Sequence, residues 1–376
     1  MNTMHFSVNT LRWAASNIGM RLEDVFAQIS QSDKSHERFL NGELSINQAQ
    51  TLAKITHVPF GYLFLDQPPA IDRPQMPDLR QTNNPDPLTD DFYDTLKDVR
   101  NKQEWFIDFL RDQDFEPVNF VGRFTLEYAS KNHKEVADHI KQTLGLNSKS
   151  YAACRDADQY YNLLVNHCEQ NRILVFRNSI VKSNTKRTLS PSEFRGFVIV
   201  DKYAPAIFIN GKDSRSAWIF TLAHELAHVW LNIEGVIGDT IEKPSDHTEL
   251  TCNKIAAELL VPEICFLENW KKIRNIDELA KIYKVSRLVI AKRAYDFGFI
   301  DQETYSYYFK LAYQNTSKKE GSPSPYLIYP IRNSKLVTKH ISHQAARGIL
   351  PLREAARILN VSPKTVLELA TRMESA

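Results

Sequence analysis

A chain of 376 residues is longer than one hydrophobic core usually organises, so two or three domains are expected, each large enough to bury its own core. With 43% hydrophobic and 24% charged residues and no apolar run near bilayer length, the composition excludes wholesale disorder and a membrane-spanning helix. A net charge of +2 excludes a protein-wide field for nucleic acid, so any basic surface is local. The opening "MNTMHFSVNTLRW" has no basic stretch followed by an apolar core and a cleavage site, and Cys154, Cys168, Cys252 and Cys265 show no C-x-x-C spacing. Together these predict a cytoplasmic protein with reduced, buried thiols.

The first predicted elements form a helical bundle over residues 1–70, where apolar periodic segments alternate with polar breaks: "TLRWAASNIG", "LEDVFAQIS", "SHERFLNGE", "SINQAQTLAKITHV" and "PFGYLFL". Residues 71–90, proline-rich and polar, read as a linker. Phe92, Leu96, Val99, Trp105, Phe106 and Phe109 suit a long helix over 91–113, and further helices are expected near 133–144 and 152–170. Three short β-branched and aromatic runs, "ILVFR" (173–177), "GFVIVD" (196–201) and "AIFIN" (206–210), predict strands. The helical stretch "TLAHELAHVW" (221–230) follows, then the loop-like "IEGVIGDTIEKPSDHTE", then "LTCNKIAAELLVP", whose helical periodicity stops at Pro262. Residues 277–297 read as helix, break at "KVS", helix; 316–325 as a second linker; and 352–373 as helix, turn, helix. "ELAKIYKVSRLVIAKRA" and "EAARILNVSPKTVLELA" share one helix-turn-helix-like pattern. The prediction is an α+β protein, mainly helical, with a short sheet of three or more strands. Its parts are 1–70, the linker 71–90, a core over 91–270, a helical extension over 271–315, the linker 316–325 and a helical domain over 326–376. Trp13, Trp105, Trp218 and Trp230 fall at helical spacings among apolar residues and read as core.

At about 3.6 residues per turn, His224 and His228 lie one above the other on one helix face, a spacing at which two imidazoles can bind one zinc ion. Glu225, rotated about 100° from its neighbour, can stand beside the ion without ligating it, where a base for an activated water is needed. A catalytic zinc needs a third protein ligand and an open position. Glu249 opens the next predicted helix and Asn253 shares its face, so the pair can supply a carboxylate ligand and an amide oxygen that accepts from a ligand histidine. Glu234 lies where a metzincin-type motif places its last ligand, but Leu231 occupies the position of the required glycine. Glu258, roughly 180° around the helix from Glu249, should point away, and Asp246 and His247 are fallback ligands in the preceding loop. Cys252 is directed about 60° from overlap with Glu249. That makes it a conceivable ligand, with a small buried hydrophobe as the plainer reading. For the motif as a whole, the plainer reading is a buried helix, "WIFTLAHELAHVWL", with histidines that hydrogen-bond locally. The strand "AIFIN" is expected either to pair with an extended substrate or to be an ordinary core strand.

"LSPSEFRGFVIV", "APAIFIN", "FTLAHELAHVWL" and "ELTCNKIAAELLVP" occur in the order found in the ImmA/IrrE family of metallopeptidases, which the chain resembles over most of its length. "LNGELSINQAQTLAKITHVPFGYLFL" resembles the Xre-like helix-turn-helix segment of its long members. The resemblance implies a gluzincin-like fold and one zinc ion per chain on His224, His228 and Glu249, with Glu225 as base and Asn253 as support. It further implies a substrate that is a regulatory protein, a small DNA-binding repressor.

Residues 1–66 carry a net charge of about −1, which suits a partner protein or a homodimer better than DNA. Residues 271–293 carry about +6 and residues 326–376 about +5. DNA contacts, where made, then fall to Lys284, Arg287, Lys292 and Arg293, or to Arg347, Arg353, Arg357 and Lys364; a solvated bundle packed on the core is the plainer reading. The expected function is a cytoplasmic zinc-dependent endopeptidase acting on a regulatory protein. The rival is a transcriptional regulator or antitoxin-like module whose metal is structural or vestigial.

Overall fold

The computed structural model describes residues 3–18, 20–30, 33–56, 58–69, 88–147, 149–237, 247–314 and 325–374. The expected linkers 71–90 and 316–325 fall almost wholly outside these residues, as does Asp246. The chain divides into two units, residues 1–75 with 87–95 and residues 76–86 with 96–376. No described helix is long and apolar enough to cross a membrane.

In the first unit, β1 (Thr3–His5) is followed by α1 (Val8–Ser16), α2 (Leu22–Ile29), α3 (Asp33–Leu40), β2 (Glu43–Ser45), α4 (Ile46–Thr56) and a 3-10 turn over Phe60–Phe64. Leu11, Val25, Phe26, Phe39, Leu52 and Leu63, drawn from each of these helices and the 3-10 turn, meet in its core. The antiparallel pairing of β1 with β2 was not legible in the sequence, because three-residue strands are too short to show alternation. Gly42 makes the turn into β2 at φ +82°, and a Cβ there would meet the Phe6 carbonyl oxygen at 2.2 Å, so only glycine fits.

The second unit takes up α5 (Asp90–Asp112) from Leu96 onward, then α6 (Leu126–Lys131), α7 (His133–Thr143) and α8 (Ala157–Gln170). Strands β3 (Leu174–Asn178), β4 (Ile180–Val181), β5 (Asn184–Thr188), β6 (Gly196–Ile199) and β7 (Ala206–Asn210) lead into α9 (Arg215–Leu231), β8 (Gly235–Ile237) and α10 (His247–Leu260). Helices α11 (Glu263–Ile273), α12 (Ile276–Tyr283), α13 (Arg287–Asp296), α14 (Gln302–Gln314), α15 (Pro325–Arg332), α16 (Lys335–Ala346), α17 (Leu352–Leu359) and α18 (Pro363–Glu374) complete it. The helices of 271–315 and 326–376 thus belong to the same unit as the sheet.

The sheet runs β3-β7-β6-β8, with β3 parallel to β7 and the other pairs antiparallel. Its fourth strand, β8, lies in the stretch expected to be loop, where flanking glycine and brevity hide a strand signal. "AIFIN" is β7, an interior strand whose backbone is paired with β3 on one side and β6 on the other. Of the two expectations for it, the ordinary core strand holds and pairing with substrate does not, since an interior strand has no free edge. Helices α15 and α16 pack against β3. There, Glu169 of α8 accepts from the Ser334 hydroxyl at 2.7 Å and from the backbone N–H groups of Lys335 and Leu336 at 2.9 and 3.2 Å, capping α16 from another helix.

The two similar helix pairs share one turn: Lys284 (φ 60°) then Ser286 capping α13, and Asn360 (φ 54°) then Ser362, whose hydroxyl oxygen accepts from the Thr365 N–H in the first turn of α18. Helix α9 has apolar residues all around, and its residues from Leu222 to Leu231 are buried between the sheet and α7, α8 and α10. Ser214 caps its start and left-handed Asn232 ends it.

Candidate metal centre

Two packed helices build the site. On α9, the i, i+4 spacing brings His224 Nε2 to within 3.0 Å of His228 Nε2. From the first turn of α10, Glu249 extends one carboxylate oxygen to His224 Nε2 and the other to His228 Nε2, each at 3.1 Å. The edge of a tetrahedron of ligands around zinc is about 3.3 Å, so the separations match a shared cation. One turn along α10, Asn253 Oδ1 lies 2.9 Å from His224 Nδ1. A proton on Nδ1 donated to that oxygen leaves the Nε2 lone pair facing the cluster.

His224, Glu225, His228 and Glu249 are at most 1% exposed. Among the described residues, both oxygens of Glu225, both of Glu249 and Nδ1 of His228 lack a hydrogen-bond partner, the Glu249 oxygens approaching the rings without hydrogen-bond geometry. Burial pushes the Glu225 carboxyl well above the ordinary carboxylate range; His228 works against this and Glu249 with it. Burial would lower the His228 pKa, but Cys252 and Glu249 outweigh it, and the net shift is upward. For Glu249, burial is outweighed by His224 and His228, which hold its carboxyl below its usual range. Dry, unmatched carboxylate oxygens facing imidazoles are costly unless something fills the space between them. A divalent cation fits: the donors are imidazole and carboxylate, and its charge offsets the burial of both acids.

Gly196 of β6 makes room for the base. A Cβ at this position would meet Glu225 Oε1 at 2.7 Å, Thr221 Cγ2 at 2.8 Å and the Phe208 carbonyl oxygen at 2.9 Å. Sequence reasoning missed it, although a glycine opening a predicted strand is the signal of a close approach. Cys252 lies at the same cluster: its sulfur and one ring nitrogen each of His224 and His228 lie within 4.8 Å of one another.

The other candidates lie elsewhere. Glu234 accepts from the Val200 backbone N–H at 3.0 Å. Glu258 turns to Arg293, and His247 is exposed at the start of α10. Arg293, expected at a DNA surface, is buried, with its guanidinium bonded to Glu258 and to the Val261 carbonyl oxygen. That corrects the expectation: on α13 this position faces α10, and the basic charge counted there is partly spent inside. Lys292 pairs with Asp296, and Arg287 with Asp277 at 2.5 Å. Arg347, Arg353, Arg357 and Lys364 are exposed. Lys284 and Arg287, with Arg195 and Lys212, line a cleft of about 940 Å³ that reaches Phe220 and Thr221, the turn of α9 preceding His224.

A comparison with curated proteins gives no match. Residues 168–295, from the end of α8 through α13, match the family model described as IrrE N-terminal-like domain, a peptidase family. The matched span contains both helices of the histidine, glutamate and cysteine cluster. Residues 168–295 are therefore similar to the IrrE N-terminal-like peptidase domain.

Proposed function

We propose that the protein is a zinc-dependent endopeptidase that cuts a regulatory protein, with a small DNA-binding repressor as the substrate class. The observation that carries this reading is the convergence of His224, His228 and Glu249, with Glu225 dry and unpartnered beside them. Zinc bound by the three side chains supplies Lewis acidity, polarising a peptide carbonyl and bringing the pKa of a water toward neutrality. Asn253 fixes the tautomer and ring orientation of His224. Glu225 takes the proton of the attacking water on its carboxylate and passes it to the leaving amine nitrogen. Its burial raises the proton affinity of that carboxylate, which suits a base that must also act as an acid. Gly196 leaves the carboxylate the space it needs. The cleft beside Phe220 and Thr221 offers room for a substrate segment.

The purified protein should hold about one zinc ion. Glu225→Gln should keep the metal and lose about 10²- to 10⁴-fold in cleavage. Co-expression of each form with the products of adjacent genes, followed by mass spectrometry for a new terminus, reads the reaction; unchanged cleavage by Glu225→Gln rejects the mechanism. The exposed Arg347, Arg353, Arg357 and Lys364 support the rival reading, a DNA-binding regulator. That reading requires a duplex gel shift that weakens steeply with salt, survives Glu225→Gln and comes without proteolysis.

A further inference from the structure

Cys252 stands on the inner face of α10, between Glu249 and Asn253, and is fully buried. Its sulfur and one ring nitrogen each of His224 and His228 lie within 4.8 Å of one another, a second trio of donors that shares both histidines with the Glu249 cluster. Helix α9 thus contributes two donors at i, i+4 and α10 two at i, i+3, spacings that put each pair on one face. The faces meet, because α9 and α10 pack against each other. Imidazole, carboxylate and thiolate are all zinc ligands, and thiolate is the softest of the three. Among the described residues, the oxygens of Glu249 and Nδ1 of His228 have no hydrogen-bond partners, as donors arranged around a cation would. A small buried hydrophobe has no need of such neighbours.

We propose that Cys252 Sγ is a fourth protein donor to the cation held by His224, His228 and Glu249, so that the resting site is closed. The proposal rests on the peptidase reading for the position of the metal and adds a condition to it: the place needed for hydrolysis opens only when the sulfur is displaced. The peptidase is then latent until substrate, or another ligand, takes the position that Cys252 holds.

The test uses the full chain, stripped with a chelator and loaded with cobalt(II) as a spectroscopic stand-in for zinc. Thiolate bound to cobalt(II) gives an intense near-ultraviolet charge-transfer band that imidazole and carboxylate donors do not give. The wild type should bind one cobalt and show the band. Cys252→Ala should still bind one cobalt, through His224, His228 and Glu249, with the band gone; Cys252→Ser is measured in parallel in case the alanine variant does not fold. Two results overturn the proposal and leave the peptidase reading standing: one bound cobalt without the band in the wild type, or a band that persists in both variants. No cobalt binding by the wild type overturns the metal reading itself. A closed resting site further predicts that Cys252→Ala cleaves at least as fast as the wild type; a merely structural cysteine would leave the spectrum unchanged on substitution.

Discussion

Helix α10 carries two buried glutamates with opposite fates. Glu258, near its end, has every need met inside the chain: one oxygen accepts the Glu263 N–H at 3.1 Å, the other pairs with Arg293, and Arg293 Nε donates to the Val261 carbonyl oxygen at 3.1 Å. Glu249, near its start, is also buried, yet neither of its oxygens has a hydrogen bond among the described residues. The difference separates a joint from a site. A buried carboxylate satisfied by its own protein ties elements together, while one left unmatched beside imidazoles is arranged for something brought from outside.

The strongest way to break this comparison is to cut the joint. Glu258→Ala strands the Arg293 guanidinium in the interior and should cost about 3–5 kcal/mol in urea unfolding while leaving the bound metal unchanged. A loss under about 1 kcal/mol, or lost metal, would erase the distinction.

Glu169 sharpens it, being capped by three donors but deeply buried. Burial raises its carboxyl from 4.5 to about 7, against the opposing Ser334, Lys335 and Leu336 contacts. Between these values the folded protein holds more protons than the unfolded chain, so stability falls as pH rises from 4.5 to about 7 and then levels off. The span corresponds to about 3 kcal/mol. Glu169→Gln, neutral throughout, should remove that slope when unfolding midpoints are compared across the same window.

At the site itself, removal of the metal by a chelator should lower stability. Reloading with zinc at a hundred times its Kd should restore about 2.7 kcal/mol in the wild type and much less in Glu249→Gln. The smallest effect belongs to the outer partner. Asn253→Ala should weaken zinc binding about 10- to 100-fold, or about 1.4–2.7 kcal/mol, by competition with a chromophoric chelator. Unaltered affinity would mean that His224 holds its orientation without Asn253.

Much of the site was legible because it depends on local periodicity. The facing of His224 and His228, the shared face of Glu249 and Asn253, and the turning of Glu258 away from the site all follow from the angle between successive residues of a helix. The α+β class was equally readable, since the runs that became β3, β6 and β7 are β-branched and aromatic and are bounded by turn residues. The strands missed, β1, β2, β4, β5 and β8, span two to five residues and carry too little pattern to stand out.

The sequence by itself determined which helix faces carry the chemistry and that two imidazoles and a glutamate travel together on α9. Only the tertiary structure decided that Glu249 rather than Glu234 or His247 meets them, that β7 is interior, that Arg293 turns inward and that Gly196 yields its space to Glu225. The reason is one of range. Backbone geometry couples residues three or four apart, whereas these outcomes depend on which distant surfaces pack, and packing is settled by the shape and burial of the whole unit.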